Sequence, residues 1–114
     1  MEEGKEETYV YEEEGIVKAF MIIGKSRDED KTKAYELIVL YVDPFMTRKG
    51  VGGQLINYFE QVARESGYNE ITLWVMAKNQ IGTNFYKKMG YKPDGATKLL
   101  ERFNQEEVRY IKMI

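Results

Sequence analysis

The chain has 114 residues, no cysteine, no histidine and a net charge of −2. This excludes disulfides, thiolate nucleophiles, cysteine-based zinc sites and Ser-His-Asp chemistry, and leaves carboxylates, tyrosine, lysine, backbone groups and water for any catalysis. The near-neutral balance gives nucleic acid no footing, no apolar run approaches membrane-spanning length, and the acidic start is the reverse of a secretory signal, so a cytoplasmic protein is expected.

In chain order, residues 1–7 read as an acidic leader and 8–114 as one domain, long enough to bury about two thirds of its unfolded surface. Thr8 to Glu12 reads as a strand, turned by Glu14-Gly15. Ile16 to Gly24 is a second strand with apolar residues on both faces, the pattern of a strand covered on both sides. Lys25 to Lys33 is a polar hairpin loop, and Ala34 to Val42 a third strand. A helix is expected over roughly Lys49 to Ser66. Leu55, Phe59, Val62 and Ala63 recur there at helical spacing, with Gln54, Glu60, Gln61 and Arg64 on the other side, and Gly67 ends it. Ile71 to Met76 is a strand in which Trp74 reads as core, and 80–89 is a short helix ended by Gly90. Two last strands, near 97–103 and 107–114, join through Asn104-Gln105. The pattern is α+β, with a mixed, largely antiparallel sheet flanked by helices.

Residues 39–53, Val-Leu-Tyr-Val-Asp-Pro-Phe-Met-Thr-Arg-Lys-Gly-Val-Gly-Gly, carry the clearest chemistry. A strand runs through a proline turn into a basic, glycine-rich loop that opens a helix. The first N–H groups of a helix lack internal partners and carry partial positive charge, so the arrangement suits an anion. A tight strand-to-helix turn explains the same glycines equally well. Two other phosphate motifs fail on spacing. Gly24-Lys25-Ser26 would need a glycine where Ala19 stands, and Gly50 to Leu55 lacks the last glycine of a dinucleotide fingerprint.

A second segment resolves the choice. Asn79, Phe85, Tyr86, Gly90 and Tyr91 are in register with the pattern Asn-x-x-Ala-x-x-Phe-Tyr-x-x-x-Gly-Phe/Tyr. Val42, Pro44, Gly50 and Gly52 match a strand ending in Val-x-Pro followed by Gln/Arg-x-x-Gly-x-Gly/Ala. The pair, in this order and separation, resembles the GNAT acyltransferase superfamily, most clearly over residues 34–92. Thr47 departs from the loop's Gln/Arg position, with Arg48 beside it, and Gly82 from the usual alanine. The family's opening strand and two helices, which wall the acceptor site, have no counterpart before residue 8, so the domain is expected to be N-terminally truncated.

The resemblance implies a V-shaped gap between the third strand and the 71–76 strand. The backbone of Leu40, Tyr41 and Val42 would pair there with the pantetheine arm of acetyl-CoA, the Leu40 N–H polarising the thioester carbonyl. Thr47, Arg48, Lys49, Gly50, Val51, Gly52 and Gly53 would hold the pyrophosphate. Asn79 would orient the cofactor arm or a water, or cap the helix that follows it. Phe85 would line the site or pack the short helix against the sheet, and Tyr86 would be the general acid, with the same packing role as its alternative. Glu36, on the strand face shared with Ile38 and Leu40, is the candidate general base, with a water chain as the alternative. No metal is implied. The implied activity is N-acetyl transfer from acetyl-CoA to a primary amine, of a small molecule or a protein, by direct attack. The alternatives are an acyl-CoA-binding module that senses its ligand or borrows an acceptor wall from a partner, and a structural remnant. A homodimer is expected, because the uncovered sheet needs cover.

Overall fold

Every second residue of the strand Ile16–Lys25 goes inward: Ala19, Met21 and Ile23 are fully buried while Phe20 and Ile22 are half-buried. The same period repeats across the sheet, which gives the molecule one apolar face to cover. The structure, a computed structural model, describes residues 6–114. Its strands are β1 (Glu7–Glu13), β2 (Ile16–Lys25), β3 (Tyr35–Val42), β4 (Glu70–Met76), β5 (Lys92–Leu100) and β6 (Gln105–Met113). The helices are α1 (Val51–Glu65) and α2 (Gln80–Lys88), with 3-10 turns at Glu29–Lys31, Pro44–Lys49 and Glu101–Phe103. The sheet order is β1-β2-β3-β4-β6-β5. Among the described residues only β3 and β4 pair in parallel. This is the mixed α+β arrangement expected.

Both helices lie on one face. Val51, Leu55, Ile56, Phe59 and Ala63 of α1 meet Ala19, Met21, Ile23, Leu37, Ile71, Leu73 and Val75, with Phe85 and Tyr86 of α2 against the same cluster. Burying Phe59 or Ile56 contributes about 1.5–3 kcal/mol each. α1 ends as its sequence requires. Gly67 takes φ 90°, and the Tyr68 N–H donates to the Ala63 carbonyl at 3.0 Å.

Several expectations are corrected. The helix begins at Val51 rather than Lys49, because Pro44–Lys49 forms its own 3-10 turn, closed by Gly50 at φ 76°. Glu60 does not face solvent: it is buried among the apolar residues of α1. β2 is not covered alike on both sides. Phe20 packs on Tyr41 across the helix-free face, with ring centroids 5.6 Å apart, and Tyr41 is exposed. Trp74 is half-buried on that face, and its Nε1 donates to Asp28 Oδ2 at 2.9 Å. The last hairpin is longer than predicted, 92–100 and 105–113, turning through Asn104 in a left-handed conformation. Pro93 and Gly95 hid the start of β5. They are tolerated because β5 is the sheet edge and its register slips between Pro93 and Thr97.

Candidate active site

The gap is a direct consequence of the pairing. β3 and β4 are bonded only over Tyr35–Leu37 and Ile71–Leu73. β3 nevertheless runs on to Val42, held by β2 on its far side, and β4 runs to Met76, held by β6. The facing edges of 38–42 and 74–76 therefore have no ladder between them. Backbone groups on such an unpaired edge are open to water or to an extended ligand that carries amide groups. Leu40, Tyr41 and Val42 occupy that edge, as the sequence suggests.

A bulge marks the point of divergence. Ile23 pairs with Leu37 but Ile22 pairs with Val39, so Ile38 is left unmatched. An extra residue turns the following side chains over. Leu37 belongs to the core with Tyr35, and Leu40 and Val42 pack on that same core. Glu36 consequently does not share a face with Leu40. It points to the helix-free side, one residue short of the place where the strands part.

There Glu36 is only 1% exposed and fully engaged. Arg27 Nη2 donates to Oε2 at 2.9 Å, and the Arg27 N–H and Nε donate to Oε1 at 3.0 and 3.3 Å. The loop carrying Arg27 is pinned by Arg109 of β6, whose guanidinium binds Asp28, Asp30 and Asp94 at 2.7–3.1 Å. The Arg109 hydrogen bond holds the Asp30 carboxyl down at about 2. Opposite Glu36 on β4, Thr72 Oγ1 is buried with no hydrogen-bond partner among the described residues.

The other end of the gap meets the start of α1. Gly52 sits where a side chain would be tight: a Cβ there would lie 3.3 Å from Phe85 Cζ, which would have to give by a few tenths of an ångström, and 3.8 Å from Val42 Cγ2. Phe85 thus packs the two helices together at the end of β3. Gly50 and Gly53 face open space. Val51 is core, and Lys49 is exposed just before the helix. Thr47 and Arg48 lie in the 3-10 turn that leads into it. Gly50 has no side chain with which to cap α1 and no acidic residue occupies its first turn, so the site is chemically open to an anion.

α2 starts at the end of β4. Asn79 caps it, its Oδ1 accepting from the Gly82 N–H at 2.9 Å. Tyr86 lies on the helix side of the sheet, half-buried, with its ring 5.2 Å from Phe85 and 6.0 Å from Tyr91. Its hydroxyl makes no hydrogen bond among the described residues. Burial pushes its pKa up to about 12. Tyr86 and Glu36 therefore lie on opposite faces of the sheet.

Sequence reasoning missed Arg27 as the partner of Glu36, and it missed Glu60 and Lys112, which bond each other beside Tyr91. For Glu60 a signal existed. It falls four residues after Ile56 and three before Ala63, on the buried stripe of α1.

Comparison with known proteins gives the family and the same fold. The acetyltransferase (GNAT) family model matches residues 1–91. The spermidine N(1)-acetyltransferase of Thermoplasma acidophilum is 34% identical over 70 residues, 59% of this chain and 44% of that protein. The chain thus matches less than half the length of this relative. The structure of nourseothricin acetyltransferase superimposes with a TM-score of 0.83 over 95% of this chain and 65% of that one, at 21% identity. PaiA N-acetyltransferase from Thermoplasma acidophilum, in complex with coenzyme A, gives 0.78 over 96% and 61%, also at 21%.

Proposed function

The chain belongs to the acetyltransferase (GNAT) family, and from that premise we propose that it transfers an acetyl group from acetyl-CoA to a primary amine by direct attack. The observation that carries this reading is the early end of the β3–β4 ladder beside an uncapped helix start. The residues present fit the cosubstrate. The free edge of 38–42 suits an amide-bearing arm, and the amides before and at Gly53, with Lys49 beside them, suit a diphosphate. Charge-assisted hydrogen bonds contribute about 1.5–3 kcal/mol each, so a few would anchor it.

Acetyl-CoA supplies an activated thioester. The Leu40 N–H would be the donor that polarises its carbonyl in the gap. The amine nitrogen bonds to the carbonyl carbon, the carbon–sulfur bond breaks, and Tyr86 gives its proton to the departing sulfur. With Tyr86 at about 12, transfer to a thiolate of ordinary basicity would be uphill by about 5 kcal/mol. Burial beside Tyr86 would raise the thiol's own affinity for the proton and close part of that difference. The amine's proton leaves on the helix-free side, where Glu36 lies. Arg27 holds both oxygens of Glu36, so an amine or a water has to displace it before Glu36 acts as base. A water chain is the other route for the same proton.

Two measurements test this. Acetyl-CoA at 100 times its Kd should stabilise the protein by about 2.7 kcal/mol. CoA thiol release should then be followed with an amine panel that begins with spermidine, the acceptor in the relative's name. Tyr86→Phe should keep acetyl-CoA binding and lower kcat by about tenfold or more. An unchanged kcat removes Tyr86 as the acid, and stabilisation without turnover for any amine leaves an acyl-CoA-binding module. The pH dependence has a defined sign. An unfolded tyrosine ionises near 10 and Tyr86 near 12, so the folded state binds more protons between these values. Stability should fall as pH rises from about 10 to 12, while activity shows no loss from Tyr86 ionisation below that window. Denaturant unfolding and CoA release, each followed against pH, read the two.

A homodimer remains part of the proposal, supported by the row Val10, Phe20 and Tyr41 across the helix-free face of β1–β3. Sedimentation of wild type against Tyr41→Glu distinguishes a dimer through this face from a monomer.

A further inference from the structure

A polar cluster beside Tyr86 takes no part in the chemistry above. Glu60, in the middle of α1, is only 4% exposed. The Tyr91 hydroxyl donates to its Oε2 at 3.0 Å. Lys112 Nζ, from β6, donates to Oε1 and Oε2 at 3.2 and 3.0 Å, and also to the Met89 carbonyl at 3.0 Å. Arg64 Nη2 stands 3.7 Å from Oε1. Met89 is the C-cap of α2, so the ammonium satisfies a carbonyl at the helix end where the dipole favours a cation. Gly90 leaves room for it: a Cβ there would lie 3.2 Å from Lys112 Cε. One ammonium ties the end of α2 to α1 and β6.

α2 depends on such ties. A nine-residue helix is not stable by itself in water. It is held by the Asn79 cap at its start, by Phe85 against Gly52, and at its end by this cluster. The cluster reaches Tyr86 by two short routes. The Tyr91 N–H donates to the Tyr86 carbonyl at 2.9 Å, and the two rings are 6.0 Å apart. Catalytic proton transfer is sensitive to displacements of about 1 Å, so freeing the end of α2 would misplace the phenol without touching the gap itself.

We propose that Lys112, fixed by Glu60 and Tyr91, is a positioning residue that sets where α2 presents the Tyr86 hydroxyl to the gap. The inference rests on Tyr86 acting as the general acid. A double-mutant cycle tests it, read as CoA release from acetyl-CoA with spermidine or another amine that turns over. Lys112→Met keeps the apolar stem and removes the ammonium. It should lower kcat about tenfold with KM for acetyl-CoA changed by less than about twofold, and Lys112→Arg should recover much of the loss. In the Tyr86→Phe background the same change should alter kcat by less than about twofold, because no hydroxyl is left to place. An equal loss in both backgrounds, or none in either, overturns the inference. If Lys112→Met melts below the assay temperature, Glu60→Gln carries the same cycle with the same expected non-additivity, and additive losses again overturn it. Failure of the acid reading shows separately, as wild-type turnover in Tyr86→Phe alone. Absence of turnover with every amine removes the acid and its positioning together.

Discussion

α1 and α2 both begin at the carboxyl ends of the two parallel strands, yet their first turns are completed in opposite ways. At α2 the chain satisfies itself. Asn79 Oδ1 takes the Gly82 N–H, in addition to the backbone bond that both helices make, from the Thr83 N–H to the Asn79 carbonyl and from the Gln54 N–H to the Gly50 carbonyl. At α1 the capping position is Gly50, left-handed and without a side chain, and a Cβ at Gly50 or Gly53 would meet no described atom within 4 Å beyond its neighbours along the chain. A side-chain cap contributes about 1 kcal/mol. A helix that forgoes one next to an open strand edge has donors to give to something else.

The sharpest way to break this contrast is Gly53→Asp. A carboxylate at a helix N-terminus is favourable by about 0.3–1 kcal/mol, so the melting temperature should hold or rise slightly. The same charge should repel a diphosphate and raise the Kd for acetyl-CoA about tenfold or more by calorimetry. An unchanged Kd would show that the diphosphate sits elsewhere. At α2 the expected response is on stability instead. Asn79→Ala should cost about 1 kcal/mol in denaturant unfolding, and a large loss of acetyl-CoA affinity on top would show that Asn79 also meets the cosubstrate. The smallest effect belongs to Gly82→Ala. Alanine gains about 1 kcal/mol of helix propensity. Its Cβ, however, would lie 2.6 Å from Asn79 Nδ2, and displacing the cap costs about as much. The two should nearly cancel in the wild type, whereas in the Asn79→Ala background the full gain should appear.

The features legible in the sequence are those made by neighbours along the chain. Gly67 and Gly90 end their helices with positive φ, Asn79 caps the residue three places on, and strand, proline turn and glycine loop lead into α1 as read. Each is decided within one or two turns of backbone, where residue type and conformation are tightly linked. The sequence misled where a local rule met a distant partner. Glu60 looked solvated because it is charged, but Tyr91 and Lys112 compensate its burial from 31 and 52 residues away. Trp74 looked like core because it is large and central in a strand, but the helix-free face gives it Asp28 and the cations of Lys98 and Arg109 instead.

By itself, then, the sequence determined the order of elements, the glycine-rich turn that leads into α1, the resemblance that names acetyl-CoA as the cosubstrate to test, and the identity of Tyr86 as the phenol to examine. Only the tertiary structure decided that Ile38 bulges out of register, that Glu36 is thereby turned to the opposite face from Leu40 and Tyr86, and that Arg27 covers it. The physical reason is that strand parity is a local rule only while the ladder is regular. A single unmatched residue reverses it, and whether a residue is left unmatched depends on how two strands far apart in sequence are pulled together by everything packed around them.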